Sequence, residues 1–194
     1  MSLQPNFSVS TEPPEFSSEE RALLLKLAHE AIASVLENCE IPLDAPSPHL
    51  AEPRGAFTTL YNQGNLRGCV GYVLPTASLY RTIADTARGA AFEDVRFWPV
   101  VEEELPNLEV SLSILSLPRL IQPEQIEIGR HGLLISQAGH RGLLLPQVPC
   151  EHGWNRLAFL QQTCKKAGLP LDAWEHGAKI EAFTAEIFGD ESKS

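Results

Sequence analysis

The amino-acid sequence predicts an α+β fold, with mainly antiparallel sheet and flanking helices. Two pairs of short strand-like segments are each separated by a turn that contains glycine, which is typical of β-hairpins. Around these hairpins lie stretches whose apolar residues recur every three or four positions, as they do in amphipathic helices. Because hairpins dominate this mixture, antiparallel sheet is favoured over alternating βαβ units.

The first helix is predicted from a capping signal. Residues 1–15 are polar and contain proline, so we expect a flexible N-terminal arm. Ser17 and Glu20 then have the S-x-x-E spacing of a capping box. Leucines, an alanine and a valine follow at helical spacing, and the helix should end before Pro42. Four prolines within 40–54 predict an irregular crossing after it.

The first predicted hairpin carries a cysteine. The segment GAFTTLYN (55–62) is rich in Phe, Thr and Tyr, and LRGCVGYV (66–73) returns after an Asn- and Gly-containing turn. Side chains two apart in a strand point the same way, so Arg67 and Cys69 should share one face. The residues expected to face the core are Leu66, Val70 and Tyr72.

A helix and a half-buried strand are predicted next. Ser78 can cap a helix that runs to about Phe92. The segment EDVRFWPV (93–100) reads as a compact turn, and the acidic run 102–104 as a solvated face. Apolar and polar residues then alternate over 108–114, which predicts a strand.

The second half of the chain repeats a short pattern. GRHGLLIS (129–136) and GHRGLLLP (139–146) share glycines, a His/Arg pair and three apolar residues, which predicts two strands flanking a turn. A helix is predicted over 154–167, with Gly168 as its stop. Alternation over 180–187 predicts a final strand.

Composition limits the function classes. The 194 residues suffice for one domain or two packed lobes with a hydrophobic core. With 25 acidic residues against 15 Lys and Arg, the net charge is −10, and nucleic acid is not an expected partner. No apolar run approaches the roughly 20 residues that cross a bilayer, and the N-terminus lacks the pattern of a secretory signal. We therefore expect a cytoplasmic protein that does not bind membranes.

Several common chemistries lack their sequence motifs. There is no G-x-G-x-x-G, G-x-x-x-x-G-K-[ST], G-x-S-x-G or H-E-x-x-H. The four cysteines include no C-x-x-C pair and are expected to be reduced thiols. Cys150 and His152 lack the spacing of a structural zinc site, so neither a metal nor a cofactor is expected.

The segment LRGCVG (66–71) is the strongest candidate for a site. A cationic neighbour such as Arg67 favours the reactive thiolate form of Cys69. Gly68 and Gly71 leave the backbone unshielded, so a ligand carrying a carboxylate or phosphate could approach the guanidinium and the amides. The alternative is structural, because cysteine packs as a small hydrophobe and strand glycines mark bulges or close packing.

This segment resembles the LRGC[IV]G hexapeptide of the AMMECR family, the AMME-syndrome candidate-region proteins. The stretch EDVRFWPVVEEELPNLEVSLSIL (93–115) is similar to the family's D-x-R-F-x-P, E-L-P and S-x-S-x-L signatures. The likeness spans about residues 17–188. It implies two unequal lobes around a cleft near the hexapeptide, in a single domain over 16–189 followed by a tail, 190–194.

The resemblance also implies partners but no reaction. Prokaryotic members of the family are called protein A of the AmmeMemoRadiSam system. They are associated by genome neighbourhood, and sometimes by fusion, with Memo-like proteins and radical SAM proteins. No reaction is established for the family, so the resemblance leaves the chemistry open.

Two further residues are candidates, each with a structural alternative. His131 lies in a family block and could act as the base for Cys69, although a histidine before a glycine at a strand start is usually a turn residue. Arg96 could pair with Asp94 or Glu93 to hold the turn against the hairpin, or it could face the cleft.

Two hypotheses follow. In the first, the chain is an enzyme or enzyme component that binds a small anionic substrate through Arg67, Arg96 and the backbone of the two glycines. Cys69 is then the nucleophile or redox thiol, and His131 or a carboxylate handles the proton. In the second, the chain is a non-catalytic adaptor that presents the hexapeptide to a Memo-like or radical SAM partner.

Overall fold

The computed structural model describes residues 14–190, and this part of the chain divides into two compact units. Residues 14–115 together with 186–190 form the larger unit, and residues 116–185 form the smaller unit. Each unit contains helices and one antiparallel sheet, so the predicted α+β class is confirmed.

The elements of the described range are as follows. The helices are α1 (Ser18–Leu36), α2 (Pro48–Ala51), α3 (Leu79–Phe92), α4 (Val148–Glu151) and α5 (Arg156–Lys166). The strands are β1 (Ala56–Asn62), β2 (Asn65–Tyr72), β3 (Leu108–Leu115), β4 (Arg119–Leu120), β5 (Gly132–Gln137), β6 (His140–Leu144), β7 (Lys179–Phe183) and β8 (Ala185–Gly189). Short 3₁₀ helices cover Glu102–Asn107, Pro123–Gln125 and Ala173–Glu175.

In the larger unit, α3 covers one face of a sheet with the strand order β2-β1-β3-β8. α1 packs against α3, and α3 packs against β1 and β2. The buried core between them includes Leu24, Leu60, Ile83 and Leu112. β2 is therefore an edge strand with a helix against its buried face.

In the smaller unit, α5 packs against β5 and β6 of a sheet with the order β4-β7-β5-β6. Its core includes Leu133, Ile135, Phe159 and Leu160. β7 belongs to this sheet, whereas β8 lies beside β3 in the larger unit. The single strand predicted over 180–187 is therefore wrong, because the chain changes sheets at Thr184.

Capping residues in the sequence predicted where the longer helices begin to within two residues. The Ser17 hydroxyl accepts a hydrogen bond from the Glu20 amide at 3.2 Å, and the Glu20 carboxylate accepts one from the Ser17 amide at 3.0 Å, so the capping box is confirmed. Ser78 caps α3 as predicted. α5 begins at Arg156, two residues later than predicted, because the Asn155 side chain caps it.

Both hairpin turns have left-handed backbone at their two central residues. Gln63 and Gly64 have φ of 51° and 74°, and Ala138 and Gly139 have φ of 49° and 85°. Positive φ at both central positions is the signature of a two-residue type I′ turn, whose twist matches that of the flanking strands. Both predicted hairpins are confirmed.

The remaining predictions concern the crossing and the ends of the chain. The crossing predicted over 40–54 contains the short helix α2, capped by Ser47. Most of the predicted arm, 1–13, and residues 191–194 of the predicted tail lie outside the described residues. Glu15, at the end of the predicted arm, is bound to the larger unit, since its backbone amide donates a hydrogen bond to Glu186 Oε2 at 2.7 Å.

A bulge decides which side chains of β2 face the core. Leu60 pairs with Gly68, but the next residue of β1, Tyr61, pairs with Leu66. Arg67 is therefore the extra residue of a β-bulge, and Leu66 lies on the face of Tyr61. Leu66 is 43% exposed, so the prediction that it faces the core is wrong. Tyr72 pairs with the buried Ala56 and lies on the same strand face as Val70, as predicted, although it is 45% exposed. Val70 does pack against the core.

We expect Gly68→Ala to destabilise the protein strongly. A Cβ at position 68 would collide with the backbone carbonyl oxygen of Ala90 in α3, and backbone cannot move aside as a side chain can. The free energy of unfolding, measured by urea denaturation, should fall by about 3 kcal/mol. Gly64→Ala is the control: a Cβ there meets no atom within 4 Å, so only its positive φ should cost about 1 kcal/mol. Equal losses for the two variants would contradict this packing role.

Candidate functional site

Arg67 binds protein groups on three sides. Its Nε donates to Glu104 Oε1 at 2.7 Å, and its Nη2 donates to Glu104 Oε2 at 2.9 Å. Nη1 donates to the carbonyl oxygen of Trp98 at 2.8 Å, and Nη2 also donates to that of Pro99 at 3.3 Å. A guanidinium has five N–H donors, and four are committed here. With its side chain only 15% exposed, Arg67 retains little capacity for the anionic ligand that was predicted.

Glu104 is the partner that fixes this arrangement. Its carboxylate also accepts hydrogen bonds from the Val101 amide at 3.0 Å and from Asn62 Nδ2 at 3.3 Å. The hydrogen bonds from Arg67 lower the pKa of Glu104 to about 2, although burial opposes them in part. The interpretation of the acidic run 102–104 as a solvated face is therefore wrong for Glu104.

Asp94 attaches the loop at residues 94–101 to β2. Its Oδ2 accepts a hydrogen bond from the backbone N–H of Cys69 at 2.8 Å, so this donor on the edge strand has a partner. Arg96 donates Nε to Oδ1 at 2.9 Å and Nη2 to Oδ2 at 2.6 Å. These bonds from Arg96 hold the pKa of Asp94 well below its usual range. Of the two alternatives for Arg96, this geometry supports the structural one, in which it holds the turn against the hairpin.

The Cys69 thiol lies on the same sheet face as Thr59, its partner across β1 and β2. The Thr59 hydroxyl donates to Cys69 Sγ at 3.3 Å, and the cysteine is partly exposed. The hydrogen bonds that Arg96 donates to Asp94 raise the pKa of Arg96, and a negative charge on Cys69 would act weakly in the same direction. The Arg96 guanidinium therefore lies within electrostatic reach of the thiol.

Packing within the larger unit explains both glycines of the hexapeptide. Gly68 lies against Ala90 of α3, and a Cβ at Gly71 would collide with the ring of Phe57. A Cβ at Gly89 would in turn lie 2.9 Å from Cγ1 of Val70. The prediction that Gly68 and Gly71 leave room for a ligand is not supported by this geometry, because protein atoms occupy that space.

His131 belongs to the smaller unit, whereas the other five predicted site residues belong to the larger one. Its Nδ1 accepts a hydrogen bond from the Glu127 amide at 3.1 Å, just before β5. This hydrogen bond gives His131 the turn role that was the structural alternative to a catalytic one. Its pairing with Cys69 stays a prediction.

Comparison with known proteins decides the family. The AMMECR1 family model matches residues 25–188, which is most of the chain. The chain belongs to the AMMECR1 family. It is 44% identical over 183 residues to a protein of Thermococcus gammatolerans, covering 87% of this chain and 89% of that protein. It is 42% identical over 175 residues to the protein Mbar_A1807 of Methanosarcina barkeri, covering 84% and 87%.

A solved structure also matches this chain. The crystal structure of the protein PH0010 from Pyrococcus horikoshii aligns with a TM-score of 0.65 at 42% identity. The alignment covers 87% of this chain and 90% of that one. In this chain, the segments 66–71 and 102–107 are joined directly, since Arg67 and Glu104 bind each other.

This AMMECR1-family chain also carries an exposed apolar loop that sequence reasoning did not assign. Val95 is 98% exposed, Trp98 is 88% exposed and Val101 is 50% exposed. All three lie in residues 94–101, which we call the bracket loop. A tryptophan in a rigid turn was the available signal, but its exposure depends on the contacts of Arg67 and Asp94.

Within residues 14–190, no three His, Cys, Asp or Glu side chains are grouped so that they could hold a metal ion. In the same range, the helices are too short or too polar to cross a bilayer.

We expect the Arg67–Glu104 pair to make stability depend on acid pH. The pKa of Glu104 is about 2 in the folded chain against an ordinary value of 4.5. A lowered folded-state pKa gives stability that is complete above the unfolded value and lost as pH falls from about 4.5 toward 2. Because the pair is partly exposed, we expect a contribution of about 1–2 kcal/mol.

Urea unfolding at pH 5.5 and pH 3.5 measures this contribution. Glu104→Gln should lose less stability than the wild type between the two pH values, whereas the exposed Glu103→Gln should follow the wild type. A Glu104→Gln variant with the wild-type pH dependence would show that this carboxylate does not contribute.

Proposed function

We propose that the chain is a cytoplasmic protein-binding module of the AmmeMemoRadiSam type, and that the bracket loop docks a partner protein. The observation that carries the proposal is the exposure of Trp98, at 88%, on a backbone that Arg67 and Asp94 hold in place. Tryptophan is enriched among residues that dominate binding energy at interfaces.

Rigidity makes this exposure useful for binding. The carbonyl oxygen of Trp98 accepts a hydrogen bond from Arg67, and the turn before it is held by the Asp94 carboxylate. Ordering a mobile loop on association would oppose binding, and a loop already ordered avoids most of that cost. An indole on fixed backbone therefore suits a preformed pocket in a partner.

The charges around the indole indicate the partner's chemistry. Glu93, Glu102 and Glu103 are exposed beside the bracket loop, against the single exposed cation Arg96 within it. A complementary partner has an apolar pocket with a basic rim. The family resemblance makes a Memo-like or a radical SAM protein the candidate partner.

We expect Trp98→Ala to abolish most of the affinity for this partner. The side chain is exposed, so its truncation should leave the unfolding temperature within about 2 °C of the wild type. Titration calorimetry against a Memo-like protein and a radical SAM protein from the same genome should show at least about a 30-fold loss. Leu120→Ala, at a residue 73% exposed on β4, is the matched control and should bind as the wild type does.

Two outcomes would overturn the docking proposal. One is binding by neither protein, or equal binding by Trp98→Ala and the wild type. The other is a concentration-dependent dimer in sedimentation that Trp98→Ala abolishes, because the loop would then bind a second copy of this chain.

A second candidate function is thiol chemistry on a small anionic substrate. Two features favour it: the Thr59 hydroxyl donates to Cys69 Sγ, and the Arg96 side chain, 55% exposed, lies within electrostatic reach of the thiol. A hydrogen-bond donor and a cation both favour the thiolate, which is the reactive form. Arg96 also has donors left for an anionic group, so it replaces Arg67 in this scheme.

We expect Cys69 to react faster with iodoacetamide at pH 7.5 than the exposed Cys39, if this second function holds. Site-resolved mass spectrometry gives each rate separately. Arg96→Gln should slow the reaction of Cys69 by about 5-fold, because it removes the cation. Arg81→Gln removes an exposed charge elsewhere in the larger unit and should leave the rate unchanged. A Cys69 rate no higher than that of Cys39 excludes thiolate catalysis.

A further inference from the structure

A row of polar side chains crosses the sheet of the smaller unit. Ser136 of β5 pairs with Arg141 of β6 and with Lys179 of β7, so the three side chains lie side by side on one sheet face. The neighbouring residue Ile135 belongs to the core with α5, and side chains alternate along a strand. The row therefore lies on the face opposite α5.

These residues border an open hollow of about 420 Å³. It is lined by residues 136–141 together with Lys179 and Glu181, all of them in the smaller unit. The volume is in the range of small-ligand sites. Six of the eight lining residues have polar or charged side chains, which can hydrogen-bond a charged group.

The charges at the hollow have the opposite sign to the chain as a whole. Lys179 Nζ binds Glu181 Oε1 at 2.8 Å, which uses one of its three ammonium hydrogens. Arg141 is exposed, and no carboxylate among residues 14–190 forms an ion pair with it. Two cations against one carboxylate leave a local charge of about +1 in a chain of net charge −10.

We propose that this hollow binds a phosphate group, either free or as a monoester. The planar Arg141 fork matches two oxygens of a phosphate, and the remaining Lys179 hydrogens and the Ser136 hydroxyl can donate to a third. Adjacent strands place their Cβ atoms about 5 Å apart, so two long cationic side chains can converge over the serine between them. A nucleic acid backbone is disfavoured, because the rest of the surface is acidic.

Titration of the full chain with inorganic phosphate, followed by ¹H–¹⁵N NMR at constant ionic strength, tests the proposal. The amide signals of residues 136–141 and 179–181 should shift with saturation at a Kd on the order of 1 mM. Methyl phosphate is the second arm of the experiment. Saturation by both identifies a phosphomonoester as an acceptable ligand, and saturation by inorganic phosphate alone identifies the free ion.

Charge-matched variants distinguish a specific phosphate site from non-specific electrostatic attraction. Arg141→Gln should weaken phosphate binding by at least about 10-fold, whereas Arg119→Gln, which removes an exposed cation of the same unit, should not. Glu181→Gln should tighten binding by about 3-fold because it removes the opposing carboxylate, with the exposed Glu175→Gln as its control. Shifts that do not saturate below 50 mM phosphate (roughly 50 times the expected Kd), or equal effects of Arg141→Gln and Arg119→Gln, would overturn the proposal.

Discussion

The paired hydrogen bonds between Arg67 and Glu104 are the interaction on which the larger unit's candidate site depends. They join the edge strand β2 to the 3₁₀ helix at 102–107, and the same guanidinium holds two carbonyl oxygens of the bracket loop. Both side chains are only partly exposed, so removal of either would leave the other without its counter-charge in a partly desolvated position. Loop, strand and helix are therefore ordered together.

The contacts of the hexapeptide LRGCVG indicate a structural role better than they indicate a ligand-binding site. Gly68 admits the carbonyl of Ala90, Gly71 admits the ring of Phe57, and the Cys69 amide binds Asp94. Each of these contacts brings another element close to β2. What the hexapeptide exposes is the loop that it holds, with its tryptophan, together with a partly exposed thiol.

Local order was predictable from the sequence, and long-range pairing was not. The capping box at Ser17 and the two hairpins follow from interactions within a few residues, so their patterns identified them. Arg67 and Glu104 are separated by 37 positions, and nothing local distinguishes Glu104 from its acidic neighbours. The bulge at Arg67 interrupts the two-residue alternation of the strand, and no sequence pattern marks it. Leu66 was therefore assigned to the wrong face.

The change of sheet at Thr184 has a consequence for how the chain is made. Within residues 14–190, the smaller unit is one continuous segment, 116–185, and can complete its sheet as soon as that segment leaves the ribosome. The larger unit must wait, since β8 and the Glu186 partner of Arg21 arrive after the whole insertion. Until β8 has been synthesised, one edge of β3 in the nascent larger unit is unpaired, and it can pair wrongly with other strands.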